Sequence, residues 1–425
     1  MAEFSKPRGT ADILPDQIPQ WLTVEQEARK QFSLYHFHEI RTPIFEHTEV
    51  FERGVGDTTD IVQKEMYTFK DRADRSITLR PEGTAGVVRA FVEAKMYGGP
   101  LPAKLFYIGP MFRYEAPQAG RFRQLHQYGV EVIGSDDPRV DAEVIELAYR
   151  YLRSVGADAH LEINSVGCPT CRARHKEALI AHLTPVKDQL CDDCQGRLTK
   201  NPLRILDCKK DADHPAVKSS PLLLDYLCDD CKSHFTELLR SLDALHLAYE
   251  VNPRLVRGLD YYTKTAFEFI DARIGAKSTI LGGGRYNGLI NMLGGPEVPG
   301  IGFAGGIERL LLSRKAAGLD DVVQDEVDVY IVAMGDEAKM ATVTLLQSLR
   351  DQHIKVDTDY TSRGVKAQMK TADRLHAKAA IVIGDDELAQ GAFTIRDLFE
   401  KTQQMVSIEQ IPFYLQGILR KAEQQ

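Results

Sequence analysis

Residues 103–133 have the sequence AKLFYIGPMFRYEAPQAGRFRQLHQYGVEVI and predict a long β-hairpin. Two stretches rich in β-branched and aromatic residues, 103–112 and 127–133, have the composition of strands. The connection between them is polar and contains the glycine, proline and glutamine residues typical of a loop. Because the strands of a hairpin run antiparallel, antiparallel pairing is expected in the N-terminal part of the chain.

Helical and strand patterns surround this hairpin. Residues 16–32 predict an amphipathic helix, and residues 39–45 predict a strand with a turn at Pro43. Residues 141–153 predict a helix, because their apolar residues recur at three/four spacing. Strands and glycine turns resume at 253–316.

Two further zones complete the chain. A helix-rich segment at 164–250 carries all seven cysteines and interrupts the N-terminal pattern. After a charged stretch at 319–326, predicted strands alternate with predicted helices, which indicates an α/β domain with a largely parallel sheet. The strands of this last zone are predicted at 327–333, 354–357 and 379–383, and its helices at 338–351 and 363–376.

The composition is that of an ordinary soluble globular protein. Of 425 residues, 43% are hydrophobic and 27% are charged, and no apolar run is long enough to cross a bilayer. The first residues lack the apolar stretch of a signal peptide, so we expect a cytoplasmic protein without a membrane partner. The net charge of −8 means that a nucleic acid would have to bind at local basic patches.

Arginines and glycines mark a candidate phosphate site. Phe112-Arg113-Tyr114-Glu115 ends a predicted strand and Arg121 follows in the loop, while residues 300–309 predict a glycine-rich strand that runs into a helix carrying Arg309. Guanidinium groups match phosphate oxygens, and glycines permit close approach of another group. A single such arginine is more often a surface residue in a weak ion pair, so only the combination of motifs is informative.

The motifs occur in the order found in the histidyl-tRNA synthetases of bacterial type, a family of class II aminoacyl-tRNA synthetases that the sequence resembles. The resemblance runs from residue 7 to about the last 20 residues. Class II motifs 1, 2 and 3 are resembled by residues 35–43, 112–115 and 300–309, respectively. The two signature peptides of the family are resembled by residues 255–262 (LVRGLDYY) and 281–286 (LGGGRY). The family pattern also matches residues 7–10 and 78–84.

This resemblance implies a fold and a domain division. It implies an α+β catalytic domain built on an antiparallel sheet at 1–163 and 251–320, with a helix-rich, cysteine-bearing insertion at 164–250. It also implies a C-terminal α/β anticodon-binding domain at 327–425. Because motif 1 lies at a two-fold interface in this class, a homodimer is expected.

The implied activity is the ATP-dependent activation of L-histidine to histidyl-adenylate, with Mg²⁺, and transfer of histidine to the 3′ end of tRNA(His). Arg113 and Arg257 are implied as the catalytic arginines, which bridge carboxylate and α-phosphate from opposite sides. The implied ATP-binding residues are Arg113, Glu115, Arg121 and Arg309. The implied histidine-binding residues are Glu82, Thr84, Arg113, Gln127, Glu131, Arg257, Tyr261, Tyr262 and Tyr286.

Two positions depart from the family pattern. Leu125 stands where members usually have the aromatic residue that stacks under adenine, so an aliphatic side chain is expected to fill that role. Ala116 stands where a basic residue is common in the loop that meets the acceptor end of the tRNA. Gln118 in the same loop is then the implied tRNA contact.

The cysteines form three Cys-x-x-Cys pairs, at 168–171, 191–194 and 228–231, with a single Cys208. This spacing is typical of structural zinc sites, but buried reduced thiols on helices fit the pattern equally well. If zinc is bound, we expect Cys168, Cys171, Cys228 and Cys231 as its ligands, since both pairs flank the segment where it leaves and rejoins the main domain. Seven cysteines cannot fill two four-cysteine sites, although His214 could serve as an eighth ligand.

A row of five cations lies in the C-terminal zone: Arg363, Lys366, Lys370, Arg374 and Lys378. Their spacing of three and four residues places them on one face of the predicted helix at 363–376. A solvated face is the more common explanation of such a row. In a domain that resembles an anticodon-binding fold, contact with tRNA is favoured.

Two other classes of protein are alternatives to this interpretation. A regulatory paralogue that serves as a subunit of ATP phosphoribosyltransferase would lack the C-terminal domain and the catalytic arginines, both of which the sequence contains. A zinc-dependent nucleic-acid binder would account for the cysteines alone. Histidine-dependent exchange of pyrophosphate into ATP discriminates among the three.

Overall fold

A computed structural model of the chain describes residues 4–56, 59, 61–206, 208, 210–256, 261–275, 279–319 and 326–423. The chain divides into two compact units, Met1–Asp321 and Val322–Gln425. Within the described ranges, no helix combines the length and the apolar character needed to span a bilayer.

The first unit is built on an eight-stranded sheet with the strand order β1-β5-β6-β11-β10-β9-β7-β8, and β2, β4 and β3 form a separate small sheet. The strands are β1 (His38–Glu39), β2 (Phe45–His47), β3 (Tyr67–Lys70), β4 (Ser76–Leu79), β5 (Ala103–Phe112), β6 (Gln124–Ile133), β7 (His160–Gly167), β8 (Glu250–Val251), β9 (Thr263–Ile270), β10 (Thr279–Arg285) and β11 (Gly300–Gly306). From β5 across to β7 every neighbouring pair is antiparallel, and only the edge strands β1 and β8 pair in parallel. The predicted antiparallel hairpin is confirmed, with β6 starting at Gln124 instead of Gln127.

Helices cover one face of this sheet. The helices of the first unit are α1 (Ile18–Leu34), α2 (Thr48–Val55), α3 (Thr84–Glu93), α4 (Pro138–Ser154), α5 (Pro169–Leu183), α6 (Asp192–Lys200), α7 (Pro215–Lys218), α8 (Asp229–Ala244), α9 (Leu289–Met292) and α10 (Ile307–Ala316). Residues of α1, α4, α8 and α10 share a hydrophobic core with alternate residues of the strands, such as Tyr128, Val130 and Val132 of β6. Because successive side chains of a strand point to opposite faces, Gln127 and Glu131 of β6 face away from these helices.

Helix α4 shows how the sequence fixes these elements. Asp137 precedes it, and its carboxylate accepts a hydrogen bond from the Arg139 amide at 2.9 Å. Pro138 occupies the first helical position, where the missing N–H costs no hydrogen bond. The three/four spacing then buries Ile145 and Ala148 in the core, as predicted for 141–153.

Two boundaries differ from the sequence prediction. The single strand predicted at 39–45 is wrong, since β1 pairs with β5 of the large sheet while Phe45 begins β2 of the small one. Pro43 lies between them, and proline has no amide hydrogen for a continuous ladder. Strand β7 continues to Gly167 because its pairing with β9 does, so the segment outside the sheet begins at Cys168 instead of residue 164.

The second unit contains a five-stranded sheet in the order β13-β12-β14-β15-β16. Its elements are β12 (Val329–Ala333), α11 (Asp336–Arg350), β13 (Val356–Thr358), α12 (Val365–Arg374), β14 (Ala379–Ile383), α13 (Asp385–Gln390), β15 (Ala392–Asp397), β16 (Thr402–Ser407) and α14 (Ile411–Glu423). The predicted strands and helices are found, and β13, β12 and β14 are parallel. The sheet is less parallel than predicted, because β15 and β16 add an antiparallel hairpin. The mostly exposed β16 gave no strand pattern.

Candidate active site

A cavity of about 650 Å³ lies over the face of the large sheet that the helices leave uncovered. Gln127 and Glu131 of β6 line it, together with residues of β9, β10, β11 and the loop of the 103–133 hairpin. The cysteine-bearing segment adds three basic residues to its wall, Arg197, Arg204 and Lys210. Sites for small ligands usually have volumes of roughly 300–1,000 Å³. The cavity therefore has room for an amino acid and a nucleotide.

Glycines of the neighbouring strands create the space for two of its side chains. A Cβ atom at Gly302 would overlap the carboxylate of Glu131, and one at Gly300 would overlap the ring of Tyr286. Both glycines lie on β11, the predicted glycine-rich strand. The close approach that the glycines permit is thus made by protein side chains within the wall of the cavity.

Glu131 is a buried acid in this cavity. It is 1% exposed, and the Tyr286 hydroxyl donates a hydrogen bond to its Oε2 at 2.6 Å. Its Oε1 has no hydrogen-bond partner within the described part of the chain. Burial raises the pKa of Glu131 to about 8, while the Tyr286 hydroxyl and then the Thr84 side chain act in the opposite direction. An unsatisfied buried acceptor is costly, and a ligand N–H would relieve that cost.

Backbone amides fix two further polar side chains next to it. The Glu82 carboxylate accepts hydrogen bonds from the amides of Thr84 at 2.8 Å and Ala85 at 2.7 Å, which are the first donors of helix α3. Burial raises the pKa of Glu82, opposed by these amide hydrogen bonds. The Gly83 amide donates to Oε1 of Gln127 at 3.1 Å. Thr84 lines the same wall, so these predicted histidine-binding residues are brought together.

Three buried tyrosines form another wall. The ring centroids of Tyr261 and Tyr262 are 4.7 Å apart, and Tyr261 meets Tyr286 edge to face at 5.9 Å. Tyr261 is 6% exposed and Tyr262 is 8% exposed, and both line the cavity. The wall thus combines apolar ring surface with phenolic hydroxyls, which suits a flat polar ring such as imidazole.

Arg113 and Arg121 are held at the cavity by different partners. Arg113 Nε donates to the Pro81 carbonyl at 2.8 Å, which fixes the side chain at the end of β5. Arg121 forms a 3.0 Å ion pair with Glu115.

Arg309 reaches the same cavity from helix α10. Its Nε is buried without a partner among the described residues. Burial, followed by the positive charge of Arg121, lowers the pKa of Arg309. The guanidinium groups of Arg121 and Arg309 repel each other beside the Glu115 carboxylate. This arrangement favours the binding of a polyanion such as a triphosphate.

The remaining predicted residues divide into three cases. Leu125, which is predicted to lie under adenine, lines the cavity. Ala116 and Gln118 are exposed in the hairpin loop, where the Gln118 and Arg121 backbones pair with each other. Arg257, predicted as a catalytic residue, lies outside the described residues.

Sequence reasoning missed several polar side chains of the site. Glu268 lines the cavity and accepts a hydrogen bond from Thr279 Oγ1 at 2.7 Å. Glu308 accepts from the His126 amide at 2.9 Å and lies 3.0 Å from its Nδ1, which ties the start of α10 to β6. Of these two residues, only Glu268 could have been predicted to face the cavity. Side chains alternate along a strand, and its neighbour Phe267 faces the helices, so Glu268 points to the opposite face of the sheet.

The structure brings the four predicted metal ligands together. Cys168 Sγ lies 3.6 Å from Cys171 Sγ and 3.9 Å from Cys228 Sγ, and all four ligand atoms, including that of Cys231, lie within 4.8 Å of one another. The two pairs sit at the starts of α5 and α8. All seven thiols are free, so the cluster is available to a metal ion.

The row of cations in the second unit is shorter than predicted. Helix α12 spans only Val365–Arg374, because Gly364 is its N-cap and the helix does not continue beyond Leu375. Arg363 precedes it and pairs with Asp359 at 2.7 Å, while Lys378 follows it and pairs with Asp328 at 2.8 Å. The exposed cations on the helix itself are Lys366, Lys370 and Arg374.

Comparisons with known proteins agree with this geometry. A protein-family model described as histidyl-tRNA synthetase matches residues 9–173 and 204–310, and a model described as anticodon binding domain matches residues 328–418. The curated histidine–tRNA ligase of Anoxybacillus flavithermus (strain DSM 21510 / WK1) is 53% identical over 421 residues, covering 98% of this chain and 100% of that protein. The histidine–tRNA ligase of Geobacillus sp. (strain WCH70) is 55% identical over 416 residues, covering 97% and 98%.

A solved structure extends the likeness to three dimensions. The crystal structure of apo S. aureus histidyl-tRNA synthetase superposes with a TM-score of 0.82 at 43% sequence identity. The alignment covers 97% of this chain and 99% of that one.

Proposed function

The chain belongs to the histidyl-tRNA synthetase family, and we propose on this premise that it charges tRNA(His) with histidine in the cytoplasm. It activates L-histidine with ATP to histidyl-adenylate, releasing diphosphate, and passes the histidyl group to the 3′ end of tRNA(His), releasing AMP. The observation that carries the proposal is the unpartnered carboxylate oxygen of Glu131, buried in a cavity that Arg113, Arg121 and Arg309 also line. Pyrophosphate exchange measured with each of the twenty amino acids tests it, and exchange is expected with histidine alone.

The proposed chemistry at the α-phosphate requires positioning and charge stabilisation. The α-carboxylate of histidine is already ionised at neutral pH, so no protein group has to remove a proton from it. We assign Arg113 and Arg257 to the carboxylate and the α-phosphate, and Arg121 and Arg309 to the far end of the triphosphate. Mg²⁺ neutralises phosphate charge, and the carboxylates of Glu115 and Glu268 in the cavity are oxygen ligands that suit it.

The same geometry supports a pocket for histidine. We assign the imidazole to Glu131 and the tyrosine wall, and the α-amino group to Glu82, Thr84 and Gln127. A pocket that hydrogen-bonds the imidazole rejects side chains that leave its buried groups unpaired, by about 10⁴-fold or more. This selectivity accounts for accurate charging without a separate editing step.

The domain division is part of this proposal. We assign 1–167 and 250–320 to the catalytic domain, 168–249 to the insertion and 327–425 to the anticodon-binding domain, because β7 and β8 belong to the large sheet. The match of residues 328–418 to an anticodon binding domain disfavours the regulatory alternative, which would lack this domain.

We also propose that the protein is a homodimer. Phe45, Tyr67 and Phe69 share one face of the small sheet. Phe45 and Tyr67 pair with Leu79 of β4 and Phe69 pairs with Ile77, and these two residues of β4 are two positions apart, so their side chains point to the same side. Phe45 is 58% exposed and Phe69 is 48% exposed. An exposed apolar face next to motif 1 is the kind of surface that a partner subunit covers.

Light scattering should therefore give twice the chain mass of 47.6 kDa at micromolar concentration. Phe45→Asp should shift the protein to a monomer, because it places a charge in the apolar contact. Phe413→Asp is the matched control, since Phe413 is 82% exposed in the second unit. A wild-type mass of 47.6 kDa would refute the dimer.

The cations of helix α12 are proposed to contact tRNA. Replacing both Lys370 and Arg374 by Glu should raise KM for tRNA by roughly tenfold and reduce its salt dependence by about one unit of slope per lost phosphate contact. Pyrophosphate exchange should stay at the wild-type level, because it requires no tRNA.

The matched control for this variant reverses Lys401 and Lys421, which are exposed lysines elsewhere in the second unit. It makes the same change of charge without touching α12. Unchanged charging kinetics in the α12 variant would reduce the row of cations to a solvated helix face.

A structural zinc ion is proposed for Cys168, Cys171, Cys228 and Cys231. Four thiolates arranged within 4.8 Å of one another suit a closed tetrahedral site with no position open for catalysis. Cys228→Ser should release this ion, as determined by metal analysis of protein prepared without chelator. Metal-free wild-type protein would leave the four as buried thiols.

A further inference from the structure

The remaining three cysteines converge at a second place in the insertion, together with an aspartate. The ligand atoms of Cys191, Cys194, Cys208 and Asp211 all lie within 4.8 Å of one another. Cys191 Sγ is 3.7 Å from Cys208 Sγ, and Cys208 Sγ is 3.9 Å from Asp211 Oδ2. Sulfurs about 2.3 Å from a tetrahedral Zn²⁺ are separated by about 3.8 Å. The observed spacings therefore fit one ion.

The aspartate takes the place expected for His214. The Nδ1 atom of His214 accepts a hydrogen bond from the Ala216 amide at 3.2 Å, so this ring caps helix α7. The Asp211 carboxylate instead accepts a hydrogen bond from the Cys191 amide at 3.0 Å. This bond joins the loop that carries Cys208 to the start of helix α6.

The Cys-x-x-Cys pair of this cluster is built like the two pairs of the first one. Cys191 is the N-cap of α6 and Cys194 lies in its first turn, as Cys168 and Cys171 do at α5. The positive end of a helix dipole stabilises thiolates at this position. Both clusters therefore present a Cys-x-x-Cys pair from the first turn of a helix.

Few buried apolar residues pack around the cluster. Its separate hydrophobic core consists of Leu183, Leu190, Cys194, Leu198, Ile205, Cys208 and Val217. Two of these seven are ligands of the cluster itself. Asp211 is only 7% exposed, and a cation would stabilise its buried carboxylate in addition to the hydrogen bond from the Cys191 amide.

We propose that Cys191, Cys194, Cys208 and Asp211 form a second, structural metal site that takes Zn²⁺. Three sulfur ligands select zinc over the oxygen-preferring Mg²⁺ and Ca²⁺, and four protein ligands close the coordination sphere. The thiols lose their protons on binding, so the gain in free energy stabilises the folded lobe. No step of histidine activation uses this ion.

The site has a structural consequence at the active-site cavity. Cys208 lines the cavity, as do Arg204 and Lys210 from the same loop. An ion bound by Cys208 and Asp211 fixes this loop on both sides of Lys210. The second metal thereby orders the basic wall that the insertion contributes.

The test counts zinc in full-length protein prepared under reducing, chelator-free conditions. Native mass spectrometry and metal analysis of the unaltered protein should both give about two ions per chain. Cys208→Ser and Cys228→Ser should each retain about one ion, and the double variant should retain none. Asp213→Asn is the matched control, because Asp213 is exposed two residues from Asp211 and pairs with Lys218.

Cobalt substitution distinguishes the two ligand sets. Sulfur-to-cobalt charge-transfer absorption scales with the number of thiolates, so Cys228→Ser, which keeps three, should absorb about three quarters as strongly as Cys208→Ser, which keeps four. Zinc-free wild-type protein, or undiminished zinc in Cys208→Ser, would overturn the proposal, whereas loss of the first cluster's ion alone would leave it standing. So would a disulfide between Cys191 and Cys208 in freshly reduced protein. Because the wild-type count requires no substitution, a variant that fails to fold leaves the test intact.

Discussion

Replacing Arg113 by alanine is expected to slow histidine-dependent pyrophosphate exchange by roughly 10²–10³-fold, the usual loss for one pre-placed group that stabilises transition-state charge. Arg113 is anchored by its Nε to the Pro81 carbonyl at 2.8 Å, so its guanidinium is oriented before substrates arrive. Such a group requires no reorganisation when negative charge develops at the α-phosphate. Steady-state exchange at saturating ATP and histidine measures the loss.

Two further variants separate charge from geometry at this position. Arg113→Lys keeps the charge but loses the planar fork, so it should recover only part of the rate. Arg139→Ala removes an exposed arginine that pairs with Asp137 on the surface, and it should exchange like the wild type. Wild-type exchange in Arg113→Ala would remove this residue from the chemistry.

Arg257→Ala is expected to lose most adenylate formation as well, while histidine still binds. This expectation comes from the family signature 255–262, since Arg257 lies outside the described residues. Calorimetric binding of histidine to the variant separates the lost chemical step from a lost binding site. Full exchange by this variant would contradict the assignment.

The sequence predicts elements well wherever the pattern is local. Strands β5 and β14 have the predicted bounds. Each is a stretch of buried residues with high strand propensity between two turns, so its first and last residues are easily recognised. Strand β16 was missed because Gln403 and Gln404 are polar, exposed residues that resemble a loop. The helix predicted at 363–376 is longer than α12, because the spacing of charged residues does not show that Gly364 is the N-cap.

The grouping of residues in the candidate site could not be predicted from local patterns. Glu82, Gln127, Glu131 and Tyr286 come from three separate segments, and alternation along a strand can assign each to a face without predicting that they meet. Their grouping was predicted through the family resemblance alone. Asp211 carried no signal, because one aspartate near a cysteine is unremarkable until the fold brings it beside three thiols.

Measured above pH 8, where the Glu131 carboxylate is ionised, Glu131→Gln is expected to raise KM for histidine by roughly 10- to 100-fold, the equivalent of losing one charge-assisted hydrogen bond. The unpartnered Oε1 of Glu131 is the acceptor we assign to the imidazole N–H, and the other oxygen is already bonded to Tyr286. The matched control is Glu146→Gln, which removes a buried carboxylate bonded to Tyr35 and Arg150 outside the cavity. KM for ATP should change little in either variant.

The same substitution should remove a pH dependence of stability. Burial raises the pKa of Glu131 to about 8 in the folded protein, above its ordinary value of 4.5, so the folded state binds the proton more tightly than the unfolded state does. The stability from this group is fully present below about pH 4.5 and is lost as pH rises through 8. Glutamine is neutral throughout, so the variant should lose this decline and unfold at a higher temperature than the wild type at pH 8.

The two measurements together decide what Glu131 does. A buried acid with only a structural role would change the pH profile of unfolding and leave KM for histidine at the wild-type value. An acid that binds the imidazole changes both, because histidine then offers an N–H to the oxygen that is unsatisfied in the free protein. Histidine should also raise the unfolding temperature of the wild type more than that of Glu131→Gln, since a ligand that binds only the folded state stabilises it more the more tightly it binds. Equal stabilisation of both proteins would place the recognition of histidine elsewhere in the cavity, with the tyrosine wall as the next candidate.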